Sequence, residues 1–123
     1  MQQRRILVVD DDPDVQLAVR ARLLASGFDV DTADDGRGAY AAASSESPDL
    51  ILLDIRLPGE DGFEVLARLK QTAGLAAIPV IMMSAQDPET TEQRALESGA
   101  SAYCCKPFNS SELLDAIAGA LER

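Results

Sequence analysis

Five short apolar runs, each followed by a longer stretch of helical periodicity, limit what this chain can fold into more tightly than any other feature. Strands that alternate with helices form a parallel sheet, because each helix carries the chain back across the sheet to begin the next strand. Residues 6–9 and 50–53 are unbroken apolar stretches, as expected of strands buried on both faces. Residues 79–83 and 102–105 read as the fourth and fifth strands. Residues 28–33 differ. There Phe28, Val30 and Thr32 alternate with Asp29 and Asp31, which predicts one packed face, one wet face and an outermost position.

The intervening segments carry helix signals. Asp12-Pro13 supplies an N-cap followed by proline at the first helical position; Val15, Val19, Leu23 and Leu24 then recur at helical spacing up to Gly27, which suits a left-handed helix stop. Asp35-Gly36 turns into an alanine-rich helix from Arg37 to about Ser45, ended by Ser47-Pro48. Residues 55–61 contain Pro58-Gly59 and read as a loop, followed by a helix over 62–70 with Phe63, Val65, Leu66 and Leu69 inward. Asp87-Pro88 repeats the capping pattern for a helix reaching Ser98 and Gly99, and Asn109 or Ser110 caps a last helix striped by Leu113, Leu114, Ile117, Ala118 and Leu121. Residues 1–123 are expected to form one domain, without linker or repeat.

Composition removes several functions. Asp and Glu number 21 against 11 Lys and Arg, a formal charge of −10, and no basic run offers a footprint for a phosphate backbone, so direct nucleic-acid binding is not expected. The apolar runs are too short to span a bilayer, and the charged MQQRR start lacks the longer apolar stretch of a signal peptide; the expected location is the cytoplasm. Cys104 and Cys105, the only cysteines, are adjacent in a strand and point to opposite faces, so they should not pair, and one or both read as a small buried hydrophobe. Histidine is absent, which excludes a Ser-His-Asp or Cys-His catalytic group and a His-ligated zinc.

Carboxylates, hydroxyls and amines are left to carry the chemistry. A parallel sheet places the carboxyl ends of all its strands on one rim, where ligands of such folds bind. Asp10 and Asp11 end the first strand, Asp54 the third, Ser84 the fourth and Lys106 the fifth. Three carboxylates on one rim repel each other unless a cation neutralises part of their charge, and hard oxygen ligands on an open rim imply Mg2+. The ammonium and the hydroxyl can each hold an oxygen of a transferring phosphoryl group. Asp10 and Asp11, being adjacent, suit a shared cation; Asp54, isolated on a central strand, is the candidate nucleophile that would form an acyl phosphate.

At this point the sequence resembles the receiver domains of two-component response regulators over nearly its whole length. ILVVDDDP is similar to their apolar strand and acidic pair, LILLDIRLPGEDG to the phosphoacceptor strand and following loop, and MMSA and KPF to the hydroxyl and lysine motifs. The resemblance implies a flavodoxin-like, doubly wound α/β fold with a five-stranded parallel sheet in the order 2-1-3-4-5. It implies that Asp54 is the phosphoacceptor, that Asp11 binds Mg2+ with Asp10 assisting, and that the backbone carbonyl of Arg56 adds a ligand. It also implies that Ser84 and Lys106 hold the phosphoryl group and that Tyr103 changes rotamer as Ser84 moves. A partner histidine kinase or histidine phosphotransfer protein would supply the phosphoryl group, since this chain has no histidine. The effector-binding face would comprise helix 88–98, strand 102–105 and helix 110–122, with Gln93, Glu97, Glu112 and Asp115 as exposed contacts. Leu57, Ser84, Cys104 and Cys105 depart mildly from the family pattern without removing a functional group.

Three rival readings fit less of the chain. Asp10, Asp12 and Asp14 imitate a calcium loop, but Val15 stands where glycine is needed and Ala21 where the bidentate glutamate belongs. Residues 36–41 match a dinucleotide fingerprint, yet the strand before them is the half-polar edge, and the acidic pair and Lys106 would be idle. A small Mg2+-dependent phosphatase using an aspartyl phosphate would employ the same groups, but no insertion is large enough to form a lid or substrate pocket.

Overall fold

The computed structural model describes residues 3–122; Met1 and Gln2, at the head of the charged N-terminal stretch, and Arg123 lie outside the described residues. The elements run β1 (Arg5–Val9), α1 (Pro13–Ala25), β2 (Asp29–Ala33), α2 (Gly36–Glu46), β3 (Leu50–Asp54), β4 (Arg56–Leu57), β5 (Glu60–Asp61), α3 (Gly62–Lys70), β6 (Val80–Ser84), α4 (Pro88–Glu97), β7 (Ala102–Cys105) and α5 (Ser110–Leu121). The main sheet has the order β2-β1-β3-β6-β7 and every pairing in it is parallel. This is the expected 2-1-3-4-5 arrangement, with β4 and β5 forming a separate antiparallel ribbon.

Alternation along the central strands divides the core into two halves. Leu7, Val9, Ile51, Leu53, Val80 and Met82 face Ala39 and Ala43 of α2, Val65, Leu66 and Leu69 of α3, and Ala95 of α4. Ile6, Val8, Leu50, Leu52, Ile81 and Met83 face Val19 and Leu23 of α1 and Leu113, Ile117 and Ala120 of α5. The helices therefore cover both faces, which is why the central strands read as continuous apolar runs. The predicted caps Asp12, Asp87 and Asn109 each accept a backbone N–H of the first turn, and Asp35 and Asp61, which the sequence reading did not single out as caps, do the same for α2 and α3. Gly27 ends α1 with φ +92°, as the stop signal required.

Local differences have simple causes. The stretch read as a loop, 55–61, contains the β4–β5 ribbon, in which Arg56 pairs with Asp61 and Leu57 with Glu60 across Pro58-Gly59. The fourth sheet strand is Val80–Ser84 rather than 79–83, because Pro79 has no N–H to give the ladder while Ser84 pairs with Cys105. Leu24 and Ala118 are exposed, each one helical step past its buried stripe. Thr32, expected on the packed face, opens onto a groove beside Leu17 and Arg20 at the sheet edge. Among the described residues, no helix is long and apolar enough to cross a membrane.

The two cysteines are unpaired. Cys104 is buried, and that burial, followed by the nearby Glu112 and Glu92, pushes its thiol up to about 11. Cys105 is only half-buried. At about pH 8 a thiol reagent should therefore label Cys105 rapidly and Cys104 only on unfolding. Two equally fast equivalents, mapped by peptide mass, would contradict this placement.

Candidate functional site

The carboxyl ends of β1, β3, β6 and β7 meet in one cleft. About 670 Å³ in volume, it is lined by Asp10, Asp11, Asp54, Arg56, Ser84 and Lys106 among others. Its rim is open: Asp11, Asp12, Arg56, Pro58 and Ala85 are exposed, while Asp10, Asp54 and Ser84 form a buried floor. The residues singled out in sequence, spread from position 10 to position 106, are thus brought together.

Asp10 is fully buried just beyond β1. Its Oδ1 accepts the Asp12 N–H at 2.9 Å and its Oδ2 accepts Lys106 Nζ at 2.7 Å. Asp12 itself caps α1 by accepting the Asp14 N–H. Asp54 ends β3; its Oδ1 accepts the Arg56 N–H at 3.3 Å and its Oδ2 accepts Lys106 Nζ at 3.3 Å. Lys106 is set in place from its own backbone, whose N–H donates to Ser84 O at 2.7 Å just past the β6–β7 pairing. One ammonium therefore bridges two buried carboxylates.

The electrostatics follow from that contact. Burial pushes the Asp54 carboxyl above its ordinary value, the Asp10 charge adds to the rise, and Lys106 works against both. For Lys106 burial opposes the charge, but the hydrogen bond to Asp10 and the charges of Asp54 and Asp10 outweigh it, so its pKa is raised. Asp10, Asp11 and Asp54 each offer an oxygen, and the three lie within 4.8 Å of one another. Three carboxylates against one ammonium leave two negative charges in excess, which one divalent ion would balance. An all-oxygen donor set on an open rim fits Mg2+.

The remaining predicted groups sit around this centre. Ser84 is buried in the cleft, with its Oγ accepting the Gln86 N–H at 2.9 Å, so its hydroxyl bonds its own loop rather than the carboxylates. Arg56 lines the cleft and gives its N–H to Asp54. The Tyr103 hydroxyl is 3.2 Å from both Ser84 O and Gln86 O and donates to this pair; burial raises its pKa. Cys105 turns its thiol to the same Gln86 carbonyl at 3.7 Å. Gln93, Glu97, Glu112 and Asp115 are exposed on the end of the molecule formed by α4, β7 and α5.

Several contributors were not foreseen. Glu60, half-buried on β5, forms an ion pair with Arg68 of α3 and lies against Gly36, where a side chain would collide with it. That carboxylate covers the glycine that begins the would-be dinucleotide fingerprint, an arrangement that repels a phosphate. Arg94 of α4 stacks on the Phe63 ring of α3, 3.8 Å from its centroid. Gln16 reaches back from α1 to the loop that carries the acidic pair. A polar residue three positions before Val19 and seven before Leu23, on an otherwise apolar stripe, was the available signal for Gln16.

Residues 6–118 match the family described as the response regulator receiver domain. The chain is similar to the transcriptional regulatory protein KdpE of Mycobacterium tuberculosis, 38% identical over 118 residues that cover 96% of this chain and 51% of that protein. It is likewise similar to the alkaline phosphatase synthesis transcriptional regulatory protein PhoP of Bacillus subtilis, 40% identical over 120 residues covering 98% of this chain and 49% of that one. The chain spans about half the length of these curated relatives. Among solved structures, the chemotaxis response regulator CheY4 of Vibrio cholerae superimposes with a TM-score of 0.87 at 30% identity, covering 95% of this chain and 98% of that one. A response regulator receiver domain protein of Methanospirillum hungatei gives a TM-score of 0.89 at 30% identity, covering 98% and 95%.

Proposed function

Since this chain belongs to the response regulator receiver domain family of two-component systems, we propose that Asp54 accepts a phosphoryl group from a histidine of a partner protein and that the new charge switches a partner-binding face. The donor is a histidine kinase or a histidine phosphotransfer protein, and residues 1–123 act as a single receiver unit in the cytoplasm. It is a signalling domain, and the only reactions it promotes are its own phosphorylation and dephosphorylation.

The reading rests on one observation above all: Lys106 Nζ bridges Asp10 Oδ2 and Asp54 Oδ2, beside a third carboxylate, on an open rim. Asp10, Asp11, Asp54 and the Arg56 carbonyl would hold Mg2+, which when bound supplies positive charge to shield the carboxylates from an incoming phosphate. An Asp54 oxygen forms the new bond to phosphorus while the P–N bond of the donor breaks and its electron pair stays with the imidazole. Lys106, already within reach of Asp54, keeps its proton and binds a phosphoryl oxygen. The Ser84 oxygen accepts a backbone N–H, so its own O–H is available to donate to another. Because Tyr103 bonds the carbonyls of Ser84 and Gln86, a shift of Ser84 toward the phosphoryl group releases the tyrosine and moves the start of α4. The effector surface is then α4, β7 and α5, including Gln93, Glu97, Glu112 and Asp115.

Incubation with Mg2+ and acetyl phosphate should add a single phosphoryl group, read by intact mass, that disappears in Asp54→Asn while circular dichroism shows the fold retained. Phosphorylation at another residue would refute the assignment of Asp54.

A further inference from the structure

We propose that Gln16 is a positioning residue for the acidic loop, holding the backbone that leads into Asp11 in the shape that lets Asp10, Asp11 and Asp54 converge on a cation. This rests on the reading of the site given above. The Gln16 amide nitrogen lies 2.5 Å from Asp10 O, 3.0 Å from Ala33 O and 2.8 Å from Asp34 Oδ1. Three acceptors around one atom settle which end of the amide faces them: only the NH2 group can donate, and a reversed amide would set oxygen against three oxygens. Its two hydrogens are shared among the three.

The side chain acts on the flank before Asp11, where it takes the carbonyl of Asp10; the flank after it is already fixed by the first helical bond of α1, from the backbone N–H at position 16 to the carbonyl of Asp12 at 3.0 Å. The contacts to Ala33 and Asp34 staple the loop to the end of β2, where the Asp10 N–H also bonds Ala33 O at 3.1 Å. Asp11 needs this help. It is exposed, and among the described residues no hydrogen bond or ion pair holds its own side chain. Asp10, by contrast, is held at both carboxylate oxygens. The direction of the Asp11 carboxylate therefore depends on the backbone that Gln16 clamps, and support of this kind to a ligand's surroundings sets metal affinity by preorganisation.

Gln16→Met tests this, since methionine keeps the length, the apolar stem and the helix preference but has no donor. On the full chain, calorimetric titration with Mg2+ should show about tenfold weaker binding. Amide exchange of the metal-free protein should be faster at residues 10 and 12, whose N–H groups bond Ala33 O and Asp10 Oδ1, while the melting temperature falls little. Gln16→Glu, of the same shape with the donors replaced by acceptors, should lose the same amide protection, which a packing role would not cause. Unchanged Mg2+ affinity and unchanged exchange in Gln16→Met, with a lowered melting temperature alone, would make Gln16 a mere brace and overturn the proposal. If the wild-type chain itself bound no Mg2+, the metal site would be the reading that failed; exchange at 10 and 12 would still decide whether Gln16 holds the loop.

Discussion

Lys106→Ala should melt well below the wild-type chain at neutral pH without metal, and the deficit should shrink as the solution is acidified. The Lys106 ammonium is the cation that touches both Asp10 and Asp54, the first fully buried and the second nearly so. Removing one partner of a buried ion pair leaves uncompensated charge and typically costs about 3–5 kcal/mol. Protonation of Asp54 limits that cost. Burial and the Asp10 charge already raise its pKa, and deleting Lys106, which lowers it, raises it further. A folded pKa above the unfolded value of about 3.9 means that the proton stabilises the fold. That contribution is fully present below the unfolded pKa and is lost as pH rises through the folded one. Without Lys106 the window of loss extends further upward. The lysine has the complementary limb: its pKa is raised in the fold, so its contribution is complete below about 10.4 and is lost as pH rises through the folded value. The two proteins should therefore converge in strong alkali as well. Mg2+ should rescue the variant by more than it stabilises the wild type, because the carboxylates then face the ion without a competing ammonium. Thermal melts across pH, with and without Mg2+, read every limb; equal melting temperatures at neutral pH without metal would show that Lys106 does not compensate the buried pair.

The sequence makes some of this site legible and conceals the rest. Strands β1, β3 and β6 were readable because burial on both faces demands continuous apolar residues, and the position of Asp54 followed from being the first polar residue after such a run. Convergence of Asp10, Asp54, Ser84 and Lys106 needed only the rule that parallel strands end on one rim. Their individual contacts did not follow from it. Lys106, assigned to phosphoryl oxygens, sits on the carboxylates of Asp10 and Asp54, and Ser84 accepts from Gln86. Those choices depend on rotamers and on loop paths, set by contacts as distant as the 96 positions between Lys106 and Asp10. Gln16 and Glu60 escaped for the same reason: each finds its partners only after the loops have closed. The ribbon between Arg56 and Asp61 is too short for any periodicity to reveal.

Gly62→Ala should be the most disruptive single-methyl change available near the site, although Asp61-Gly62 looks in sequence like an ordinary helix start. A Cβ at position 62 would stand 2.4 Å from Asp54 O, 2.7 Å from Ile55 Cα and 2.9 Å from Ile55 O. All three are backbone atoms, so no side chain can rotate away. The crowding is built in, because the Gly62 N–H donates to Ile55 O at 2.6 Å and draws the start of α3 onto the end of β3. Inserting a methyl group into a packed contact costs about 1–3 kcal/mol, and the lack of any flexible neighbour places this case at about 3 kcal/mol or above. In a domain of this size that is a fall in melting temperature of roughly 10 °C. The chain can relieve the clash only by moving α3 or the end of β3, and either displacement carries Asp54 away from Lys106 and Asp11. Misplacement of a reacting group by about 1 Å can cost about a hundredfold in rate, so phosphorylation by acetyl phosphate should fall at least that far even where the variant remains folded. Gly119→Ala provides the control. Position 119 lies in α5 with nothing within 4 Å of the added methyl group, and alanine there should stabilise by up to about 0.5–1 kcal/mol. The same chemical change is thus expected to act with opposite signs at the two glycines, measured by denaturant titration and by the phosphorylation rate. A Gly62→Ala chain as stable and as readily phosphorylated as wild type would mean that α3 does not bear on the strand that carries Asp54 in the way the geometry requires.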